Sequence, residues 1–298
     1  MTSFDTAGGD FSVSAEPSQP AAGTHRGAAL AARLRRIQPG LVLAWLVLAT
    51  VILWALVPGL FTGSDPLEGI PGGQLKGPSA LHLLGTDSLG RDLYARVVYG
   101  AVHSLSGALA AVGVGLVVGT ALGLAAGSVG GWIDDVVMRI VDVLLSIPTL
   151  LLSLSIIILL GFGTVNAAIA VGATAIAGFA RLTRSEVVRV RRAEFVEAAF
   201  GSGGRFVAVL WRHILPNSLT SVIAYTALQF GWAILQISTL GFLGYGAPPP
   251  TPEWGLLIAE GRNYIATAWW LTAVPGLIVV AVVLSANRIS QSLGRNAA

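Results

Sequence analysis

The side chains that usually carry enzymatic chemistry are few and scattered in this sequence. Its one lysine, Lys76, is followed by glycine, whereas a phosphate-binding loop needs serine or threonine after the lysine at a helix start. The histidines lack the paired spacing of a zinc site, and no Gly-x-Ser-x-Gly elbow accompanies a histidine base. They are His25, His82, His103 and His213. We therefore expect a non-catalytic chain with no cofactor and no metal of its own.

A long polar segment, rich in arginine, runs from Arg181 to Asn217 between apolar stretches. It contains Arg-Leu-Thr-Arg from Arg181, Glu-Phe-Val-Glu-Ala-Ala from Glu194 and His-Ile-Leu-Pro-Asn from His213. Connectors between spanning helices are usually short, so a long segment that keeps mixed charge and helix-forming residues favours a docking surface. The sequence thus predicts that the inner side of a membrane protein meets a partner.

The composition fixes the class of protein. The chain has 298 residues, of which 54% are hydrophobic and 11% charged, and its mean hydropathy is +0.75. Such a chain is too apolar for a soluble globule and fits an all-α membrane protein that crosses the lipid bilayer several times. The absence of cysteine excludes disulfides and thiolate chemistry, and no nucleic-acid partner is expected.

The apolar runs predict a tail followed by six spans. Residues 1–38 are rich in serine, glycine, alanine and proline in their first 30 positions, which predicts a largely disordered cytoplasmic tail. The first apolar run, 41–61, is longer than the roughly 7–15 residues of a signal-peptide core and is taken as a retained span. The transmembrane domain covers 39–298, with later spans near 103–127, 136–160, 164–181, 217–242 and 269–287.

Six spans return the C-terminus to the side of the N-terminus. The connecting loop 182–216 then lies in the cytoplasm, as the positive-inside rule requires of a segment with many arginines. The predicted location is therefore a bacterial cell membrane, with several passes and both termini cytoplasmic.

Two spans have patterned faces. Gly115, Gly119, Gly123 and Gly127 recur every four residues, which places bare backbone on one face of a helix and predicts close packing of another helix. In the fifth span a polar stripe predicts contact with protein or water, either as a solute path or as ordinary helix packing. Its members are Ser218, Ser221, Tyr225, Gln229, Trp232, Gln236 and Thr239.

Local charge spacing predicts two ion pairs. Arg139 and Asp142 are three residues apart in the third span, and Asp92 and Arg96 are four apart before the second. Asp87 or Ser88 is expected to cap a helix.

The cytoplasmic loop resembles the Glu-Ala-Ala loop of ATP-binding-cassette importer permeases. The matching residues are Glu197, Ala198, Ala199 and Gly203, followed by His213, Ile214, Leu215 and Pro216. We expect a helix over 190–200, a turn at the glycines 201, 203 and 204, and a short helix over 206–213. The two extra glycines and His213 depart from the usual pattern, and the histidine resembles the peptide-importer branch.

Two further segments resemble the second permease of dipeptide, oligopeptide and nickel importers. One runs from His82 to Arg96, although Val102 stands where that subfamily often has arginine; the other is Gly244–Gly255, continuing to Asn263. We expect Asp87, Arg91, Asp92, Pro249 and Trp254 to form an exposed outer contact surface. The alternative for Trp254 is an anchor at the membrane interface.

The resemblance implies a type I importer permease fold and a set of partners. These are a second, similar permease, two ATPase subunits or domains that bind ATP and magnesium, an extracytoplasmic solute-binding protein, and a di- or oligopeptide substrate. Glu197 and its loop would couple ATP hydrolysis to transport, and Ser221, Tyr225, Gln229, Trp232 and Gln236 would line the path. A nickel or metal-chelate importer, a secondary transporter with Asp142 as its ion-coupling carboxylate, and an intramembrane hydrolase are the alternatives.

Overall fold

A computed structural model describes residues 38–297 of the chain, and this part consists of helices and connecting loops without a strand. The predicted N-terminal tail lies outside the described residues apart from Gln38. In chain order the α-helices are α1 (Pro39–Leu56), α2 (Leu93–Val129), α3 (Gly131–Ser146), α4 (Thr149–Leu160), α5 (Thr164–Arg191), α6 (Glu194–Gly201), α7 (Phe206–Val209), α8 (Leu215–Phe242), α9 (Trp254–Gly261) and α10 (Trp270–Ala297). Short 3-10 turns occupy Pro58–Leu60 and Arg262–Tyr264, and a π-helical segment occupies Leu210–Ile214.

Among the described residues, five helical stretches are long and apolar enough to cross a membrane. They are α1, α2, α5, the continuous stretch Phe206–Phe242 and α10. The pair α3 and α4 passes the same test together but is bent by 97°. The expectation of an all-α membrane protein with about six spans is thus confirmed, with five spans, or six when the bent pair is counted as one.

The predicted span 136–160 is not a single helix, because α3 ends at Ser146 and α4 begins at Thr149. Ile147 has extended backbone angles, as expected of a residue that precedes a proline. Pro148 has no N–H to donate and opens the next helix. The apolar run is continuous in sequence, but the proline turns it through a right angle.

Several predicted span ends are also wrong, because polar residues here lie on helices and not between them. The second span begins at Leu93, ten residues earlier than expected, since the Asp92 carboxylate accepts the backbone N–H of Ala95 at 2.8 Å and caps α2. The capping role predicted for Asp87 or Ser88 therefore belongs to Asp92. The fourth span runs ten residues beyond 181, to Arg191.

The glycine face of α2 packs directly on α5, as the spacing of four predicts. A Cβ atom at Gly119 would lie 2.6 Å from the carbonyl oxygen of Ile176, and one at Gly123 would lie 2.4 Å from that of Ala180. At Gly127 it would lie 2.9 Å from Val187, near the end of α5. Any side chain larger than hydrogen would separate the two helices, so these glycines set the distance between them.

The bundle has two ends. α5 leads into α6 just beyond the contact of Gly127 with Val187, and we call this the α6 end. α9 contacts the start of α2, and we call this the α9 end. It lies opposite the α6 end, since α2 has 37 residues and is roughly 55 Å long. α10 begins beside α9, since a Cβ at Gly261 would lie 2.8 Å from Leu271, and it therefore finishes toward the α6 end. α1 begins there too, since a Cβ at Gly40 would lie 3.8 Å from Nε of Arg288.

Two ion pairs join α3 to α5. The Arg184 guanidinium contacts Asp134 through two hydrogen bonds of 3.0 and 2.5 Å, and Arg181 pairs with Asp142. The predicted pair of Asp142 with Arg139 is wrong, because the neighbouring helix supplies a closer cation than the next turn of α3 does.

Candidate functional site

The segment that resembles the Glu-Ala-Ala loop is mostly helical and presents an exposed surface at the α6 end. α6 is separated from α5 only by residues 192 and 193, so the predicted helix over 190–200 is two helices. Glu197 and Ala198 are exposed on α6, and Ala199 is half-buried. The turn that follows depends on Gly203, whose φ is +84°, whereas Gly201 is still helical. A left-handed backbone angle at residue 203 favours glycine because it has no Cβ.

A small apolar core holds α6 in place. It consists of buried aliphatic side chains from α5, α6, α7 and the π-helical segment: Val187, Val190, Val196, Val209 and Ile214. Large apolar side chains remain exposed around it: Phe195, Phe200, Phe206, Val207 and Trp211. Together with Glu197 and Ala198 they form what we call the α6 surface. Exposed aromatic groups on a fixed helix are suited to binding a partner protein.

The α6 surface continues without a break into a membrane helix. The second short helix predicted over 206–213 is α7 plus the π-helical segment, and this runs directly into α8. Pro216 has no N–H to donate to the carbonyl four residues earlier. Just before it, the backbone N–H of Leu215 donates to the carbonyl of Leu210, five residues back, as in a π-helix. His213 and Leu215 are half-buried and Pro216 is exposed. The end of the predicted loop is therefore the start of a span.

A cavity lies between α2, α4, α5 and α8. Its empty volume is about 450 Å³, including the part open to the outside. Three residues of the predicted polar stripe line it, namely Gln229, Trp232 and Gln236. Sequence reasoning missed Thr149 and Thr174, which also line it. Thr149 is brought there by the bend at Pro148, and its hydroxyl oxygen accepts a 3.3 Å hydrogen bond from the Gln236 amide.

The remainder of the stripe lies elsewhere. Tyr225 packs edge-on against Phe179 with ring centroids 5.0 Å apart, and neither it nor Ser221 lines the cavity. Ser218 and Thr239 donate their hydroxyl protons to backbone carbonyls four residues earlier, those of Ile214 in the π-helical segment and Leu235 on α8. The stripe therefore combines a cavity-lining part with residues satisfied inside the helix bundle.

At the α9 end, the two segments predicted to form one exposed contact surface instead meet in a largely buried ion cluster. The Arg96 guanidinium lies 3.1 Å from Asp87 and 3.0 Å from Glu260. Arg91 lies 2.6 Å from Asp87 and 3.4 Å from Glu260. We call these four residues the α9 cluster. Its two cations and two carboxylates balance, which buried charges require.

The predicted exposure of this region is wrong for most of its residues. Asp87, Arg91 and Asp92 are 5%, 4% and 9% exposed. The predicted pair of Asp92 with Arg96 is also wrong, since Asp92 caps α2 and approaches Nδ1 of His82 at 3.1 Å. Pro249 does lie on the exposed part of the loop. Burial raises the pKa of Glu260, whereas the charge of Arg91 acts in the opposite direction.

Trp254 is fully buried beside a second acidic residue. Its indole N–H donates to the carbonyl of Val97 at 3.0 Å, and its backbone N–H donates to the Ser104 hydroxyl at 3.2 Å. The adjacent Glu253 caps α9 by accepting the N–H groups of Gly255 and Leu256, both at 2.9 Å. Burial raises the pKa of Glu253, although its hydrogen bonds lower it. The expectation of an exposed Trp254 is wrong because α9 folds back against α2.

Comparisons with known proteins agree with this architecture. Residues 119–297 match the family described as binding-protein-dependent transport system inner membrane component. The dipeptide transport system permease protein DppC of Alkalihalophilus pseudofirmus is 42% identical over 252 residues, 85% of this chain and 83% of that protein. The glutathione transport system permease protein GsiD of Pectobacterium atrosepticum is 38% identical over 218 residues, 73% of this chain and 72% of that protein.

A solved structure supports the fold. A chain of the MetNI methionine ABC transporter, in an inward-facing conformation, aligns with a TM-score of 0.53 and 17% identity, over 66% of this chain and 96% of that chain. The family match, residues 119–297, covers more than half of the chain. The alignment with the DppC relative covers most of both proteins. This protein therefore belongs to the family of inner-membrane components of binding-protein-dependent transport systems.

Proposed function

We propose that this chain is a non-catalytic permease subunit of an ATP-driven peptide importer, and that it converts movement of partner ATPases into alternating access of the cavity between α2, α4, α5 and α8. The observation that carries the proposal is the α6 surface. It is exposed, it is fixed to α5 by a buried aliphatic core, and it is continuous with α8, which lines the cavity.

The α6 surface is suited to docking a partner that changes shape. Glu197 supplies a charge and Ala198 a close approach, while Phe195, Phe200 and Trp211 supply apolar area. A partner can shift the transporter between two states only by binding one of them more tightly. ATPase subunits that open and close provide such a difference, and ATP and magnesium would be bound by them.

The relatives favour peptides over nickel or other metal chelates as the substrate. Their names refer to dipeptides, di- and tripeptides, D,D-dipeptides and glutathione, all of which contain peptide bonds. The amide groups of Gln229 and Gln236 in the cavity can donate to and accept from a peptide backbone without selecting one side chain. Asp142 is paired with Arg181, which speaks against the secondary-transporter alternative.

Two more partners complete the proposed assembly. A second, similar permease would close the transport path from the other side. A solute-binding protein would dock at the α9 end, on the exposed loop that contains Pro249, while the α9 cluster and Trp254 hold that loop from below. The α6 end would then face the cytoplasm together with both termini, as the arginines of 181–212 suggest.

The proposal is tested by reconstituting the chain with its ATPase and permease partners in liposomes and measuring ATP-dependent uptake of a labelled dipeptide. Glu197→Arg is expected to reduce uptake and the retention of ATPase during purification, because it reverses the charge on the α6 surface. Glu68→Arg is the matched control, since it makes the same exchange at an exposed site before α2.

Uptake that continues without any ATPase subunit would overturn the proposal as a whole. Equal uptake and equal ATPase retention by Glu197→Arg and Glu68→Arg would remove the coupling role of the α6 surface. Uptake of nickel complexes but not of any peptide would replace the substrate and leave the coupling role intact.

A further inference from the structure

A groove runs between α1 and α10, away from the α6 surface and the cavity. Its wider part begins at the α6 end, has an empty volume of about 980 Å³, and is lined by residues that include Gly40, Leu43, Leu284 and Arg288. A narrower part of about 540 Å³ continues along the same two helices to Trp54 and Ile278. Val47 and Ala281 line both parts, so the groove is continuous.

The groove changes from polar to apolar along its length. Its α6 end holds Asn287, Arg288 and Gln291, whereas the far part is lined by aliphatic residues with Thr50 and Trp54. From Gly40 to Trp54 it follows 14 residues of helix, or about 21 Å. One leaflet of a bilayer is about 15 Å of hydrocarbon, so an acyl chain fits along the groove with its headgroup at Arg288.

We propose that this groove binds one anionic phospholipid, with the headgroup phosphate on Arg288 and an acyl chain between α1 and α10. A guanidinium has five N–H donors in a planar fork that matches phosphate, so a bond inside the protein leaves donors for a ligand. Basic pockets between membrane helices are known to hold anionic headgroups.

The sequence that precedes α1 is also basic. Arg33, Arg35 and Arg36 precede α1 by a few residues in the sequence. Each basic residue near the surface adds attraction for an anionic leaflet. The acyl part of the ligand has a matching apolar wall, since Leu43 is 62% and Leu284 is 61% exposed in this chain.

The test is native mass spectrometry of the full chain, purified with the subunits that accompany it and exposed to equal amounts of phosphatidylglycerol and phosphatidylcholine. The wild type is expected to retain phosphatidylglycerol preferentially. Arg288→Gln is expected to reduce that preference about fivefold, the effect of one surface charge on an anionic lipid. Arg189→Gln is the matched control, because Arg189 is a paired arginine at the same end.

A second pair of variants tests the acyl part. Ala281→Phe adds bulk inside the groove and is expected to reduce retention of both lipids, whereas Val280→Phe adds bulk at the next position, which is 51% exposed and does not line the groove. Thermal unfolding of all four variants checks that each is folded. Equal retention of the two lipids by the wild type, or an unchanged preference in Arg288→Gln, overturns the proposal.

Other occupants of the groove give different results. A second permease seated there would be lost from purified Ala281→Phe, with no change in lipid retention. Residues 1–37 seated there would exclude lipid until they are deleted. Either result also overturns the proposal.

Discussion

The indole nitrogen of Trp254 donates a hydrogen bond to the backbone carbonyl of Val97 at 3.0 Å, across 157 residues of sequence. The bond joins the first residue of α9 to the beginning of α2, and the Trp254 side chain has no exposed surface. α9 is therefore an internal part of the bundle, and its contact with α2 fixes the position of the loop that precedes it.

Replacing Trp254 is expected to destabilise the protein itself. Trp254→Ala should lower the free energy of unfolding by about 3–5 kcal/mol, because it leaves a large cavity between α9 and α2. Trp254→Phe should cost less, since it keeps most of the volume and loses one hydrogen bond, worth about 1 kcal/mol. Thermal unfolding in detergent measures both, with Trp132→Ala, at a site 74% exposed, as the control. Weaker docking of a binding protein without any loss of stability would contradict this role.

Breaking the α9 cluster is expected to be costly. Arg96→Met removes the cation between Asp87 and Glu260 and leaves the buried Asp87 and the partly buried Glu260 with Arg91 alone, which should cost about 3–5 kcal/mol. The control is Arg189→Met, where Arg189 is 66% exposed, its partner Glu186 lies on the same helix, and the expected change is below about 1 kcal/mol. Chemical or thermal unfolding of the two variants measures the difference. Similar losses in both would mean that the cluster adds nothing beyond a surface pair.

The contact between α2 and α5 can be tested one methyl group at a time. Gly123→Ala would place a Cβ 2.4 Å from the carbonyl oxygen of Ala180 and must push the helices apart. Gly113→Ala, on the same helix, meets nothing within 4 Å and should be neutral or stabilise by up to about 1 kcal/mol through helix propensity. The unfolding temperature of Gly123→Ala should thus fall, whereas that of Gly113→Ala should stay the same or rise. Equal values would show that the packing tolerates a methyl group.

The absence of cysteine makes the cavity accessible to labelling experiments. Single cysteines at positions 229 and 236 are expected to react with a water-soluble thiol reagent in at least one transport state, because Gln229 and Gln236 line the cavity. Ile234→Cys, at a fully buried position on the same helix, is the unreactive control. A dipeptide substrate should slow the reaction at 229 and 236. Protection of both sites in every state would identify this region as helix packing only.

Glu253 is expected to make stability depend on pH. Because burial raises its pKa above the ordinary value of 4.5, the folded protein holds this proton more firmly than the unfolded chain does. Its contribution is therefore fully present below about pH 4.5 and is lost as the pH rises through the raised pKa. Glu253→Gln cannot lose a proton here, so its unfolding temperature should gain on that of the wild type as the pH increases.

The exposed Glu68→Gln variant is the control for this series, because it makes the same exchange outside the buried region. A constant offset between Glu253→Gln and the wild type from pH 4 to 8, in contrast, would mean that the hydrogen bonds from Ser104, Gly255 and Leu256 cancel the effect of burial.

Features that depend on nearby residues were predictable from the sequence. The glycine spacing on α2 predicted a close helix contact because the repeat of four places all of them on one face whatever the partner is. The six apolar runs predicted an all-α membrane fold, because the length and composition of a run are local properties of the sequence. The exposed position of Glu197 followed from its place in the polar segment between two apolar runs.

Features that depend on distant residues were not. Arg96 has an acidic neighbour four residues before it, yet its partners are Asp87 and Glu260, the latter 164 residues away. Spacing rules describe isolated helices and carry no information on which other helix approaches. The span end predicted at Arg181 was wrong for a similar reason. The carboxylate that pairs with this arginine, Asp142, lies on another helix, α3.

The α9 cluster also has a consequence for the order in which the chain is made. Asp87, Arg91 and Arg96 leave the ribosome together, with one carboxylate for two guanidinium groups, and the balancing Glu260 follows 164 residues later. At about 5–20 residues per second, this interval lasts roughly 10–30 seconds. During that time Arg91 and Arg96 lack their contact with Glu260, so we expect the start of α2 to reach its final packing only after α9 has been synthesised and has folded back onto it.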